Sequence, residues 1–450
     1  MNLLFYLLVF LLVLIVSSTT NKLLPFLPMP LIQILLGIGI GLCLPNNQYH
    51  LDTELFLALV IGPLLFREAQ EADITSILKH WRIVLYLIFP VIFISALSMG
   101  GLAQVLWASL PLAACVAVGA ALGPTDLVAF ASLSQRFSFP KRVSNILKGE
   151  GLLNDASGLV AFRMALIAWT TGTLSLTQAG TSLAISIVGG FAVGFITALI
   201  NRFLHTFLLS VRATDIASEL LLELSLPLLT FFIAEEIHVS GIIAVVVAGI
   251  LKASRFKKIN LLEAQVDTVT ETVWQTVTFM LNGSVFVILG MELEMIAEPI
   301  LKSAFYNKVL LLLSVFLLTF LLFAIRFVMI YGFYAFRIKK IHKSLDKYVK
   351  DMLLLTFSGV KGTVSIATIL LIPSNLEQEY PLLLFLVAGV TLVSFLTGLV
   401  VLPHLSEEQE PSKDQLMHIA ILNDVAMELE KDLDNTKNKV PLYAAILPSS

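Results

Sequence analysis

Charged residues are scarce in this sequence: Asp, Glu, Lys and Arg make up 14% of 450 residues. A soluble domain carries roughly 25%, so the shortfall excludes a chain that solvates most of its own surface. Cysteine is rarer still. Cys43 and Cys115 both fall inside apolar blocks, which leaves no basis for a disulfide framework or a metal cluster. No cation precedes the first apolar block, since the first is Lys22, behind it. A cleaved signal peptide shows the reverse order, so this block is expected to be a retained first span. There is no phosphate-binding loop, haem motif or zinc-ligand spacing, so ATP-driven pumping, redox chemistry and enzymatic activity are unsupported, and no cofactor is expected. A net charge of −3 gives no footprint for nucleic acid.

What is abundant is apolar surface. Hydrophobic residues reach 57% and the mean hydropathy is +0.90. They fall in blocks long enough to cross a bilayer as helices, which takes about 20 residues each. Strand alternation is missing, which rules against a barrel. The blocks read as thirteen helices, near residues 2–19, 28–44, 53–66, 83–98, 102–135, 143–170, 179–208, 216–235, 239–251, 271–292, 308–336, 351–372 and 380–402. With the N-terminus outside, alternate connections and helix ends hold nineteen of the 29 Lys and Arg, while the exterior ones hold only Lys302 and Lys308. That asymmetry is the positive-inside rule, and it fixes N-out, C-in. Deleting either of the two short spans, 53–66 or 239–251, would invert the rest and destroy the pattern. The expected fold is therefore an all-α polytopic membrane protein of about thirteen spans. Residues 1–404 form the membrane domain and 405–450 a short, acidic cytoplasmic tail, partly helical by its stripe of Leu416, Ile419, Ala420, Met427 and Leu429.

Some charges should not survive in lipid. One at a helix centre costs roughly 2.5–3.5 kcal/mol on insertion scales, so each needs a reason. Depths follow from the nearest basic anchor at about 1.5 Å per residue. Asp126 lies about 15 Å deep, Glu150 about 12 Å, Asp155 about 20 Å, and Arg326 and Lys361 about 16 Å each. Five charges on four helices thus share the middle of a core about 30 Å thick.

Two sequences let backbone join them. Gly123-Pro124-Thr125-Asp126 interrupts the fifth helix and Ser358-Gly359-Val360-Lys361-Gly362 the twelfth. Broken helices expose carbonyls and opposed dipole ends at the midplane, as ion sites of secondary transporters do. An acid near one break and a base near the other, Asp126 and Lys361, would offset the half-helix dipoles. The breaks are seven helices apart, so they run in opposite directions. Helices 1–6 and 8–13 are then expected to be inverted repeats whose broken helices cross at the midplane, with helix 7 as connector.

On the sixth helix, Glu150 and Asn154 share a face, while Asp155 lies above Gly151, whose missing side chain leaves room for an ion. Glu150 and Arg326 have opposite sign and similar depth, and are expected to form a structural pair. No partner is evident beside Asp155. An isolated carboxylate in an apolar medium is costly as a bare anion, so it can hold a proton or a cation, one at a time. Competition for that one group is enough to couple two fluxes.

Gly149-Glu150-Gly151-Leu152-Leu153-Asn154-Asp155 resembles the Glu-Ser-Leu-Leu-Asn-Asp signature of NhaP-type sodium/proton antiporters and animal sodium/proton exchangers. Pro124-Thr125-Asp126 is similar to their unwound-helix motif, and Gly359 to Ser365 to their Gly-Leu-Arg-Gly-Ala-Val-Ser segment. Arg326-Phe327 resembles the helix whose arginine pairs with the signature glutamate, and Pro63-Leu64-Leu65-Phe66 with Glu68 the third-helix motif. The resemblance runs from about residue 30 to 403. It implies an NhaA/NhaP-like fold and a homodimeric antiporter with separate dimerisation and ion-carrying domains, working by an elevator-like motion. It further implies that Asp155 carries ion and proton alternately, that Thr125 contributes its carbonyl to a bound sodium, that Glu68 is a further ligand, and that Asn154 goes with electroneutral exchange. Gly151 stands where the family has serine, and Lys361 where it has arginine, which keeps the charge but loses a planar fork.

The expected function is Na⁺/H⁺ exchange across the plasma membrane, with K⁺ or Li⁺ as alternative cations and lipid as the surrounding partner. A cation channel or a non-transporting ion sensor acting through its tail, whose partner is unknown, are the rivals from other classes.

Overall fold

The computed structural model describes residues 2–24, 27, 29–43, 53–72, 74–126, 129–130, 137–172, 176–211, 215–253, 261–302, 306–339, 348–369, 371–372 and 380–408. The expected helix in the tail beyond residue 408, and the cations Arg136, Arg212, Arg255, Lys257, Lys258, Lys340, Lys343 and Lys347, lie outside these.

Helices α1 (Asn2–Leu23) and α2 (Met29–Cys43) open the chain. Next, α3 runs from Thr53–Phe56 through a wide π turn, Leu57–Ile61, into Gly62–Glu71. After the short α4 (Ile74–Lys79), α5 spans Trp81–Leu106 with a second π turn at Leu87–Val91. Each wide turn abuts or contains a proline, Pro63 or Pro90. A proline ring lacks the N–H and crowds the carbonyl four residues back, so the turn loosens there.

The remaining helices are α6 (Leu112–Ala121), α7 (Lys141–Thr171), α8 (Leu176–Ser210), α9 (Ile216–Glu236), α10 (Gly241–Ala253), α11 (Leu261–Lys302), α12 (Lys308–Lys339), α13 (Val349–Phe357), α14 (Thr363–Ile369) and α15 (Tyr380–Leu405). Among the described residues, seven helices are long and apolar enough to cross a bilayer, and four apolar ones are shorter.

Three boundaries differ from the sequence reading. The expected helix 102–135 is divided: residues 102–106 finish α5, Trp107–Pro111 turn the chain, and α6 begins at Leu112. The stretch stays largely apolar there, so hydropathy alone hides the turn, and Pro111 is its one local mark. Helix α11 has 42 residues, far beyond the expected 271–292. At roughly 1.5 Å per residue it is about 60 Å long, twice the hydrocarbon core. Finally, two strands of two residues pair antiparallel, β1 (Phe137–Ser138) with β2 (Glu407–Glu408), and so fasten the start of the tail to the segment entering α7.

Local chemistry sets the ends. Asp215 caps α9 by accepting the Ser218 N–H at 2.9 Å, while the Ser218 hydroxyl accepts the Asp215 N–H at 3.2 Å. The Ser218 side chain, then its N–H, hold the exposed Asp215 carboxyl below its ordinary range. Glu235 accepts the Gly241 N–H that starts α10, across a turn in which His238 adopts φ 59°.

Packing sorts the helices into two bundles. Helices α5, α6, α7, α12, α13, α14 and α15 pack mainly on one another, and α1, α2, α3, α8, α9, α10 and α11 form the other group. Helices α2 and α11 approach most closely where Gly37 faces Gly290: a Cβ on either would strike the opposing backbone. Contacts across the seam, α7 with α10 and α3 and α11 with α14 and α15, are fewer than those of the tightest pairs within each bundle.

Candidate functional site

The two interruptions meet in the middle of the first bundle. Helix α6 ends at Leu122, whose N–H reaches the Val118 carbonyl; Gly123 closes a tighter turn on the Ala120 carbonyl at 3.1 Å, and Pro124 and Thr125 lie outside any helix. Pro124 cannot continue the ladder. The chain is helical again at Ala129, whose N–H is capped by the Asp126 Oδ1 at 2.9 Å. Helix α13 ends at Ser358, and Gly359 to Gly362 are non-helical before α14.

One main-chain bond joins the breaks: the Asp126 N–H donates to the Val360 carbonyl at 3.0 Å. Lys361 is 1% exposed, and its Nζ donates to the carbonyls of Gly123 at 2.8 Å and Pro124 at 2.5 Å. A cation thereby sits on the orphan carbonyls at the negative end of α6. Glycine is needed on both flanks. A Cβ at Gly362 would overlap the Asp126 carboxylate, and one at Gly359 the Arg326 guanidinium.

Helix α7 runs beside this crossing, seated tightly because Gly158 faces the Pro124 ring where no Cβ would fit. Glu150, 1% exposed, accepts Arg326 Nη1 at 2.6 Å and Nη2 at 2.7 Å, a two-pronged pair. The Thr125 hydroxyl donates to Glu150 Oε1 at 2.9 Å and accepts Arg326 Nη1 at 3.1 Å; Arg326 Nε reaches the Leu355 carbonyl at 2.9 Å. The pair therefore touches both breaks, at Thr125 and near Ser358.

Four residues further along, the Asn154 Nδ2 donates to the Thr125 carbonyl at 3.1 Å. That bond fixes the amide so that its Oδ1 is left as a buried acceptor with no partner among the described residues. Asp155, 5% exposed, also has an unpartnered buried Oδ1. Gly151, one turn before it, is buried. From the second bundle, Glu68 on α3 brings a third such oxygen, Oε2, within electrostatic range of Asp126 and Asp155. The described residues hold no group of three or more His, Cys, Asp or Glu set to bind a metal. The three acids thus share a region without forming a closed cage.

The structure accordingly gathers Thr125, Asp126, Glu150, Gly151, Asn154, Asp155, Arg326 and Lys361 around the crossing, and sets Glu68 facing them across the seam. Lys148 and Arg163 are exposed. Two residues escaped the sequence reading. Ser157 donates to the Ile88 carbonyl at 2.9 Å, in the wide turn of α5, and to the Asn154 carbonyl at 2.8 Å. Ser394 accepts the Lys361 N–H at 3.1 Å. Their trace in the sequence is one hydroxyl each, Ser157 just past the charged run of α7 and Ser394 on the mostly apolar α15.

A multi-pass helical membrane protein with two crossed, broken helices at its centre is the class that this architecture defines. The chain belongs to the family described as sodium/hydrogen exchanger, transmembrane, which matches residues 7–407. It is 33% identical over 94% of its length to a sodium, potassium, lithium and rubidium/H⁺ antiporter of Bacillus pumilus. A protein of the same description from Bacillus subtilis is 34% identical over 90%. The chain spans 62% of the length of each of these two relatives. Its fold matches the sodium proton antiporter MjNhaP1 from Methanocaldococcus jannaschii, with a TM-score of 0.65 at 17% identity, covering 90% of this chain and 98% of that one.

Proposed function

We propose that this protein is a secondary antiporter that exchanges a monovalent cation, sodium by preference, for a proton, driven by gradients alone and without a cofactor or enzymatic step. The observation that carries the reading is the set of buried oxygens on Asn154, Asp155 and Glu68 that find no donor among the described residues. Acceptors of this kind suit a hard cation or a proton, and an unsatisfied buried oxygen is costly until one arrives. Asp155 is the exchanging group, holding one or the other. Asn154 Oδ1 and the second lone pair of the Thr125 carbonyl complete the cation's surroundings. Asp126 and Lys361 balance the dipole ends, and the Glu150–Arg326 pair holds α7 in register.

Glu68 belongs to one bundle and Asp155 to the other, so sliding along the seam would change which oxygens the ion meets. That supports alternating access over a fixed pore. We further place thirteen spans as two inverted repeats in the plasma membrane, N-terminus outside, tail inside, in a homodimer; the charge asymmetry of the loops supports the orientation. One net positive charge each way makes the exchange electroneutral. A broader cation range, including potassium and lithium, is the second reading. It is favoured by Gly151, which offers no hydroxyl to tighten the site, and by the cations for which the Bacillus relatives are named.

In everted vesicles, sodium should dissipate an imposed proton gradient, and Asp155→Asn should abolish the response. Full sodium-dependent exchange in that variant would remove Asp155 from the mechanism; sizeable single-channel currents would replace exchange with conduction.

A further inference from the structure

We infer that Ser394, on α15, is a positioning residue for this exchange, acting on the ion site through Lys361. The inference rests on the antiport reading above.

Lys361 has two tasks. Its ammonium covers the Gly123 and Pro124 carbonyls of the first break, while its own backbone lies within the second. Non-helical backbone there cannot use the helical ladder, and every N–H buried without a partner is costly. For Lys361 the partner is a side chain from outside the crossing. Its N–H donates to Ser394 Oγ at 3.1 Å, and the Ser394 hydroxyl proton goes to the Thr391 carbonyl at 2.9 Å. Ser394 is 0% exposed, so no water substitutes for it from the surface. The serine thus acts as a relay. Anchored at one end to its own helix, it presents a lone pair to the extended segment and fixes how far Lys361 projects.

Position matters because the charge is shared. Lys361 lies within electrostatic range of Asp155, Asp126, Glu150 and Arg326. Held on the first break, its ammonium is kept off the unpartnered Asp155 oxygen. Released at the backbone, the same ammonium can swing towards Asp155 and compete with cation and proton for it. Loss of the Ser394 hydroxyl should therefore weaken cation binding rather than slow turnover of the loaded carrier.

Thr391 supplies an internal control. It lies one turn before Ser394 on the same helix, is also 0% exposed, and its Oγ1 has no hydrogen-bond partner among the described residues. Thr391→Val removes a hydroxyl of equal burial without touching Lys361.

The test is sodium-dependent exchange in everted vesicles across a pH series, for wild type, Ser394→Ala, Ser394→Thr, Thr391→Val and Asp155→Asn, with yield and melting temperature measured alongside. One net hydrogen bond is a factor of roughly 3 to 10 in an equilibrium. Ser394→Ala should raise the apparent KM for sodium by about that factor, leave the maximal rate within about twofold, and displace the pH profile towards acid. Ser394→Thr should restore both, and Thr391→Val should match wild type. Should Ser394→Ala fail to insert, Ser394→Cys keeps the volume and a weak acceptor, with a smaller shift in the same direction. An unchanged KM and pH profile in Ser394→Ala, an equal effect from Thr391→Val, or failure of threonine to rescue would each overturn the assignment. Asp155→Asn separates the two claims: if it still exchanges, the antiport reading falls; if it is dead while Ser394→Ala is normal, only Ser394 is wrong.

Discussion

Replacing Glu150 with alanine tests what holds α7 to the crossing. The carboxylate accepts three bonds, two from Arg326 at 2.6 and 2.7 Å and one from Thr125 at 2.9 Å. Its removal leaves a guanidinium that is 3% exposed with, among the described residues, the Leu355 carbonyl and the Thr125 hydroxyl. The loss is dominated by that stranded charge, because a buried pair gains little over apolar residues of equal volume, whereas breaking one costs about 3–5 kcal/mol. Glu150→Ala should therefore destabilise the protein by about that much, seen as a lower melting temperature and yield in detergent. Removing both charges together, with Glu150→Leu and Arg326→Met, should recover most of the loss. The assay is a thermal scan of the two single variants and the double variant against wild type. A Glu150→Ala protein that melts with wild type would refute the burial argument. A double variant no better than the singles would show that the charges do more than balance each other.

Two further outcomes follow from the same geometry. Gly362→Ala drives a Cβ into the Asp126 carboxylate that caps Ala129, and overpacking of this kind costs about 1–3 kcal/mol; melting and exchange at wild-type levels would show that the crossing can yield. If one proton and one cation compete for Asp155, the apparent sodium constant should rise about tenfold for each unit fall in pH once protons dominate. A flat dependence in vesicles clamped at successive pH values would rule out competition at a single group.

The central part of this site is legible because lipid makes charge expensive. Asp126, Glu150, Asp155, Arg326 and Lys361 stand out in a 57% hydrophobic chain, and counting residues from basic anchors sets them all in the middle of the bilayer core. The breaks are legible for a similar reason: Gly123-Pro124 and Gly359 to Gly362 are poor continuations of a helix. What stayed hidden is neutral or tertiary. Ser394 differs from its apolar neighbours by one hydroxyl, and nothing local says that it faces Lys361. The turn at Trp107–Pro111 interrupts an apolar run, so hydropathy passes over it. Helix α11 continues past the expected span 271–292 at both ends, where acidic and polar residues interrupt the apolar run. The β1–β2 pairing joins residues some 270 positions apart through two bonded pairs, too short to leave an alternating pattern.

The bond from the Asp126 amide to the Val360 oxygen carries no side chain. Alanine scanning cannot delete it, since every residue but proline supplies the same N–H and all supply the same C=O. A mutational survey of this region would therefore score the neighbours of that link and remain blind to the link itself. Only an edit to the polypeptide, such as an ester in place of the amide at position 126, would show how much of the midplane crossing hangs on a contact that the genetic code leaves nearly untouched.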